Sequence, residues 1–318
     1  MNQRQSRTTP PSRVLVFGAA GHIGRPVADH LRSSAPTTRL RLVSRSEQSQ
    51  RVLGTRYPGA EVVSADYSDL ASLVEACRDI DGMFVITPPG TDESMAMTNL
   101  VEACRRAGSS PHIVRQTAFQ PELSPRLIPE WMKRDGTGIP MQHPIAKSIL
   151  EDSGHPLTFV NTLATFIDNF AVHFGAPIRE KDMLVCPPRT ITYLAPTDIG
   201  EFAARMFLTL DSGQDGQFHS INNGIDLLSY EEVAGIMSEV FGRAVGYDGS
   251  RESYFREYAF LGDDTLNYLW HLFEWDRAYE VSWSRNDLLE RYLGRRPISV
   301  RAYLVENSQL FQPVSQPV

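Results

Sequence analysis

Short apolar runs alternate with amphipathic stretches along the first half of this 318-residue chain. The apolar runs predict six strands, at residues 13–17, 40–44, 60–66, 82–87, 112–116 and 156–161. Between the strands, apolar positions recur at helical spacing, most clearly in residues 22–33, 69–77 and 93–107. Strands joined by helical crossovers are typical of a doubly wound parallel sheet, so the pattern predicts an α/β fold.

Two segments join the fifth and sixth predicted strands. Residues 117–142 are rich in proline and glycine and too long for a passive turn, which indicates an active-site loop. Residues 143–154 predict a short helix, with Pro144 at its first position and Gly154 at its end.

The pattern becomes less regular after residue 161. The sequence SYEE at 229–232 is a capping box that predicts a helix start, and residues 250–310 are aromatic-rich and mostly helical in pattern. We therefore expect a smaller, mostly helical C-terminal substrate domain over the carboxyl ends of the sheet. The predicted division is a disordered tail at 1–12, a nucleotide-binding domain at 13–160 and a substrate-binding region at 161–318, partly interleaved with the sheet.

The first predicted strand runs into a glycine motif, GAAGHIG, at residues 18–24. Gly18 suits a sharp turn, Gly21 allows the backbone to approach a pyrophosphate, and Gly24 lets the next helix lie close to the strand. A glycine-rich turn without a ligand is the alternative. Because strands and crossover helices surround the motif, we favour a Rossmann-type dinucleotide site with phosphates at the helix start.

The end of the second predicted strand indicates which dinucleotide binds. An acid at this place binds a ribose 2′-hydroxyl, whereas an arginine accommodates a 2′-phosphate. The chain has Ser44, Arg45 and Ser46 here, with no acid before Glu47. These residues suit a phosphate, so the sequence predicts NADP(H). Asp66, after the third strand, is placed for the adenine amino group.

Composition excludes several classes of function. The net charge is −7, so nothing steers the protein towards nucleic acid, and no apolar run approaches the length of a membrane span. The three cysteines are far apart and outside any C-x-x-C pair, which fits a reducing compartment and argues against a cysteine-based metal site. We expect a cytoplasmic monomer or homodimer, with no metal and no nucleic-acid or membrane partner.

With these residues in view, the chain resembles the NmrA-like and isoflavone-reductase-like branch of the atypical short-chain dehydrogenases. The resemblance extends over nearly the whole length, and its carriers are GAAGHIG, SRS at 44–46, SADYSD at 64–69, EDSGHPLTFVN at 151–161 and FIDNF at 166–170. Such proteins are NADPH-dependent reductases of small, often aromatic or polycyclic metabolites. A minority bind NADP as redox sensors without turnover.

The resemblance also implies contacts residue by residue. The implied cofactor contacts are Gly18, Ala20, Gly21, His22, Ile23, Gly24, Arg45, Thr87, Pro88, Pro89, Thr117, Ala118, Asn161, Thr162 and Leu163. The strand-end residues Ser44, Ser46, Asp66 and Tyr67 are predicted cofactor contacts beside them. The implied substrate contacts are Phe119, Phe166 and Asn169.

The catalytic group departs from the family pattern. The chain has no Tyr-x-x-x-Lys, and His143 falls where isoflavone reductases have an active-site lysine. At a helix start, the dipole would lower the pKa of His143, leaving a neutral ring that donates one hydrogen bond to a developing oxyanion. Lys147, one turn later, and Tyr193 are further candidates. Hydride transfer to a carbonyl, imine or activated alkene is the favoured reaction. A sensor without turnover, and an isomerase, lyase or cyclase, remain alternatives.

Overall fold

The computed structural model describes residues 9–118, 130–131, 139–162, 164–209, 216–278 and 284–313. The chain divides into two compact units. The first comprises Met1–Leu163 and Thr197–Ile221, and the second comprises Ala164–Pro196 and Asn222–Val318. The chain thus leaves the first unit after its sixth strand and returns to it for one helix and one strand.

Twelve strands are described. They are β1 Arg13–Val16, β2 Arg39–Val43, β3 Glu61–Val63, β4 Gly82–Val85, β5 His112–Thr117, β6 Leu157–Asn161, β7 Thr165–Phe166, β8 Met183–Val185, β9 Thr190–Leu194, β10 Gln217–Ser220, β11 Leu227–Ser229 and β12 Gly246–Asp248.

Thirteen α-helices accompany these strands in the described ranges. They are α1 Gly24–Ser34, α2 Glu47–Arg56, α3 Leu70–Ala76, α4 Glu93–Ala107, α5 Ile139–Asp152, α6 Asn169–Val172, α7 Gly175–Lys181, α8 Pro196–Leu208, α9 Tyr230–Phe241, α10 Arg251–Glu257, α11 Asp263–Arg277, α12 Leu288–Leu293 and α13 Val300–Glu306.

A seven-stranded parallel sheet forms the centre of the first unit. Its strand order is β10-β6-β5-β4-β1-β2-β3, and every neighbouring pair is parallel. The doubly wound α/β fold predicted from the sequence is therefore confirmed. The strand β10 was not predicted, because it lies at the sheet edge and its four residues QFHS are only partly buried.

The apolar strands and the helix termini explain why these elements form. Both β1 and β4 are almost entirely buried, as expected for parallel strands covered on two faces. Helix α4 begins at an N-cap, Asp92, whose side chain accepts from the amide of Met95, and it ends at Gly108, which is left-handed with φ +67°. The predicted helix 93–107 is confirmed at both ends.

The helix predicted at 143–154 begins earlier than expected. Helix α5 starts at Ile139, so Pro144 lies inside the helix and not at its first position. A proline there removes one intrahelical hydrogen bond. Side chains of this turn bind other elements instead: Gln142 accepts from the amide of Glu93, at 2.9 Å, and the His143 ring accepts from the amide of Ala118. These contacts hold a turn that local sequence disfavours.

The second unit contains helices and two small sheets. One sheet has the order β11-β9-β7, with β9 antiparallel to β11 and parallel to β7, and the other pairs β12 with β8. The capping box predicted at 229–232 is present, since Ser229 and Glu232 bond each other's backbone amides. Tyr193 and Tyr230 pack against Phe170 in the core. No described helix is long and apolar enough to cross a membrane.

Candidate functional site

A cleft of about 710 Å³ lies at the carboxyl ends of β1, β2, β3 and β4. Parallel sheets of this type bind ligands where the strand order reverses, which here is the crevice between β1 and β4. The cleft is lined by Phe17, Gly18, Ala20, Gly21, His22, Ile23, Gly24, Val43, Ser44, Arg45, Ala65, Asp66, Tyr67, Ser68, Ile86, Thr87, Pro88, Pro89, Gly90, Thr91, Asp92 and Met95.

The three glycines at the start of the cleft each have a geometric reason. Gly18 has φ +66°, and a Cβ there would lie 2.7 Å from Ile86 Cγ2. A Cβ on Gly24 would lie 2.3 Å from the Gly18 carbonyl oxygen, so the start of α1 touches the preceding turn. Gly21 is exposed in the cleft, and its nearest contact would be the same oxygen at 3.1 Å. The loop therefore forms a cradle that a side chain at Gly21 would fill.

The first turn of α1 adds a positive end to this cradle. The residue before the helix is Ile23, which caps it with no side-chain hydrogen bond, and the first turn holds no acid. A helix start without a capping side chain favours an anion, because amide donors and the helix dipole both point towards it.

Arg45 also lines the cleft. Its side chain is 64% exposed, and its Nη1 lies 3.1 Å from Asp66 Oδ2. Hydrogen bonds from the Ser68 hydroxyl and amide, followed by the contact with Arg45, hold the pKa of Asp66 below its usual value. Ser46 does not line the cleft and instead caps α2, where it accepts from the amide of Ser49.

A buried polar network lies behind the β4 end of the cleft. Arg115 Nη2 donates to Glu93 Oε1 at 2.6 Å and to Thr87 Oγ1 at 2.9 Å, and Arg115 Nη1 donates to the Val85 carbonyl at 3.3 Å. The Thr87 hydroxyl in turn donates to Glu93 Oε1. Arg115 and Glu93 are both almost fully buried.

His143 adjoins this network from helix α5. Its Nδ1 accepts from the amide of Ala118 at 2.8 Å, so the neutral ring carries its proton on Nε2. Nε2 lies 3.9 Å from Glu93 Oε1, beyond hydrogen-bond distance, and has no other acceptor among the described residues. His143, which is not among the residues lining the cleft, thus has one donor, on Nε2, for which no described residue provides an acceptor.

Burial, and then the positive charge of Arg115, lower the pKa of His143 to about 3. The direction agrees with the sequence-based prediction, but the predicted cause was wrong. His143 is the fifth residue of α5 and not at its start, so the helix dipole does not account for the shift. The ring is neutral throughout the physiological pH range.

This pKa predicts how stability depends on pH. In the unfolded chain His143 binds a proton near pH 6.5, whereas in the folded chain it resists protonation down to about pH 3. The contribution of the neutral His143 ring to the free energy of unfolding is therefore complete above pH 6.5 and is lost as the pH falls towards 3. When the pH is lowered from 7.5 to 5.5, the free energy of unfolding of wild type should fall by roughly 1 kcal/mol more than that of His143→Asn, as measured by urea denaturation. An equal loss in both proteins would contradict the assignment.

The polar groups of the two other catalytic candidates already form hydrogen bonds within the protein. Lys147 lies one turn after His143, and its Nζ is 2.5 Å from Glu151 and 5.7 Å from the centre of the Phe159 ring. Tyr193 belongs to the second unit, where its hydroxyl donates to the Leu228 carbonyl and burial raises its pKa well above the usual value.

Several predicted residues do not line the cleft. Thr117, Asn161 and Thr162 are fully buried at the ends of β5 and β6. The Thr117 hydroxyl donates to Asn161 Oδ1, and that of Thr162 donates to the Thr117 carbonyl. Ala118 contributes its amide to His143. Phe166 and Asn169 are half-buried in the second unit, and Leu163 and Phe119 lie outside the described residues.

Arg115 and Glu93 were not predicted from the sequence as residues of the site. A signal was available for Arg115, since a charged residue in the apolar strand HIVRQT must find a buried partner. Glu93 gave no signal, because an acid in the first turn of a helix is common on helix-dipole grounds alone. Further cleft residues were not predicted either, such as Phe17, whose ring stacks on Tyr67 at 4.7 Å.

Comparisons with known proteins find reductases that are similar to this chain. The sequence profile described as the NmrA-like family matches residues 10–304. The chain is 27% identical over 252 residues to a (4-alkanoyl-5-oxo-2,5-dihydrofuran-3-yl)methyl phosphate reductase of Streptomyces griseus, covering 77% of this chain and 81% of that protein. It is 26% identical over 238 residues to an NAD(P)H azoreductase of Xenophilus azovorans, covering 74% and 76%.

A solved structure has the same fold. The triphenylmethane reductase of Citrobacter sp., determined in complex with NADP(H), is similar with a TM-score of 0.75 and 20% identity, covering 93% of this chain and 99% of that one. At this level of identity the likeness concerns the fold.

Proposed function

The chain belongs to the NmrA-like family, as its motifs had indicated, and we propose that it is an NADPH-dependent reductase. The proposed substrate is a small aromatic or polycyclic metabolite with a carbonyl, imine or activated alkene. The observation that carries the proposal is the cleft itself, in which a glycine cradle, a helix start without a side-chain cap and Arg45 line one cavity.

The residues of the cleft fit NADPH in charge and in space. The cradle at Gly21 leaves room for a pyrophosphate, and Arg45, two-thirds exposed, is available to a 2′-phosphate. An NAD(P)H azoreductase, and a triphenylmethane reductase determined in complex with NADP(H), are similar to the chain. Bound NADPH would supply a hydride, and the chain must supply the group that stabilises the resulting anion.

His143 is the residue we propose for that role. Its Nε2–H is a neutral donor without an acceptor among the described residues, and its Nδ1 is held by the Ala118 amide. A ring fixed in this way stabilises the developing oxyanion with a hydrogen bond, and a proton taken up from solvent water then completes the reduced product. Lys147 and Tyr193 are less suitable because both already bond within their own units. Phe119, Phe166 and Asn169 stay proposed substrate contacts.

The reductase proposal is tested by NADPH consumption. Purified protein would be mixed with NADPH and a panel of aromatic carbonyl and imine compounds, with absorbance followed at the reduced nicotinamide band. We expect substrate-dependent oxidation of NADPH and a reduced product by mass spectrometry. Tight NADPH binding with no oxidation by any compound would favour a sensor. A product formed without loss of NADPH would favour an isomerase, lyase or cyclase.

The position of Arg45 predicts a preference for NADPH over NADH. NADPH should bind at least about tenfold tighter than NADH, or about 1.4 kcal/mol, because a guanidinium beside the cleft pairs with a 2′-phosphate. Arg45→Ala should remove most of this difference in calorimetric titration. Arg51→Ala is a matched control, since Arg51 is an exposed arginine on α2 that does not line the cleft. Equal affinity of wild type for the two cofactors would reject the assignment.

A further inference from the structure

The hydroxyl of Thr87 has a fixed hydrogen-bonding polarity. A hydroxyl has one hydrogen and two lone pairs. The carboxylate of Glu93 only accepts, so it takes the hydrogen, and the guanidinium of Arg115 only donates, so it occupies one lone pair. The Thr87 hydroxyl is left with a single acceptor position. Thr87 lines the cleft, so a ligand group that reaches its hydroxyl would meet an acceptor and not a donor.

The Arg115–Glu93 ion pair that fixes this hydroxyl is buried at a cost in desolvation free energy. Arg115 is fully buried and Glu93 nearly so. Removing both charges from water costs free energy that an apolar pair of similar volume would not require. In addition, Glu93 Oε2 and Arg115 Nε are buried without hydrogen-bond partners in the described part of the chain. Stability alone does not account for such a pair.

We propose that the Arg115–Glu93 pair is a positioning device that holds the Thr87 hydroxyl as an acceptor for an N–H donor of the ligand. This inference rests on the proposed function, since the donor we assign is the carboxamide N–H₂ of the nicotinamide. The pair thereby makes the site discriminate between a carboxamide and a group of equal size without the N–H₂.

A cofactor analogue tests the polarity directly. In 3-acetylpyridine adenine dinucleotide phosphate a methyl group replaces the carboxamide N–H₂ and the carbonyl is kept. By calorimetric titration, wild type should bind NADP⁺ about tenfold tighter than this analogue, because the analogue leaves the Thr87 acceptor unpaired. Thr87→Val should reduce the ratio to near one, whereas Thr87→Ser, which keeps the hydroxyl, should retain most of it.

Two changes to the pair test the positioning role. Glu93→Gln keeps an acceptor for the Thr87 hydroxyl, so the tenfold ratio should survive. Glu93→Leu with Arg115→Met replaces the whole pair by apolar side chains and leaves no unpaired charge. The hydroxyl then turns freely, and the ratio should fall below about threefold although Thr87 is intact. Thermal unfolding reports whether each variant is folded. If the double variant does not fold, the Thr87 variants still test the proposal.

The outcomes separate this inference from the proposed function. Equal affinity of wild type for NADP⁺ and the analogue overturns the inference and leaves the reductase proposal standing. A tenfold ratio that persists in Thr87→Val, or in the folded double variant, also overturns it. Failure of wild type to bind either dinucleotide overturns both proposals.

Discussion

His143→Asn should lower the turnover number about 10²–10³-fold, while the affinity for NADPH hardly changes. Asparagine keeps an acceptor near the position of Nδ1 for the Ala118 amide but has no counterpart of the Nε2–H donor. The expected loss is the usual scale for removing one hydrogen-bond donor to an oxyanion. Steady-state kinetics with the substrate found in the NADPH assay measures it, and titration with NADPH checks the cofactor site.

A matched variant separates chemistry from stability at this position. His143→Gln places an amide nearer to the position of Nε2 but loses the acceptor for Ala118. It should therefore keep more turnover than His143→Asn and be the less stable of the two by thermal unfolding. If His143 only anchors the segment around Ala118, the order of the two turnover numbers is reversed. Near-normal turnover in His143→Asn would remove the residue from the mechanism.

Gly21→Val should weaken NADPH binding at least about a hundredfold, or about 2.7 kcal/mol, in a protein that stays folded. The β-carbon would lie 3.1 Å from the Gly18 carbonyl oxygen, so the loop needs only a small shift, but the added methyl groups occupy the cleft. Calorimetric titration measures the loss, and circular dichroism checks the fold.

The matched control for this substitution is Gly54→Val. Gly54 lies on the exposed face of α2, and a β-carbon there meets no described atom within 4 Å. It should bind NADPH as wild type does. Gly24→Val is unsuitable, because its β-carbon would lie 2.3 Å from a backbone oxygen and the fold itself would suffer. Normal NADPH binding by Gly21→Val would mean that the glycines serve packing alone.

The elements that the sequence predicted well are those set by local pattern. Strand β1, the glycine turn and helix α4 follow from apolar runs, a left-handed glycine and caps that lie within a few residues of one another. Arg45 could be placed in the cleft for the same reason, since its position depends only on where β2 ends. In the first unit, local pattern placed the start of α5 wrongly and gave no sign of the edge strand β10.

The sequence by itself therefore determined the doubly wound fold, the glycine cradle and the arginine beside it, because periodicity, turns and strand ends are properties of short segments. Only the tertiary structure determined the protonation of His143 and its hydrogen-bond partners. The Arg115–Glu93 pair joins residues 22 positions apart, and the bond from Ala118 to His143 spans 25. Burial and these distant charges set the protonation of the ring and the polarity of the Thr87 hydroxyl. Neither is encoded in a local pattern, because both depend on which strands and helices the fold makes neighbours.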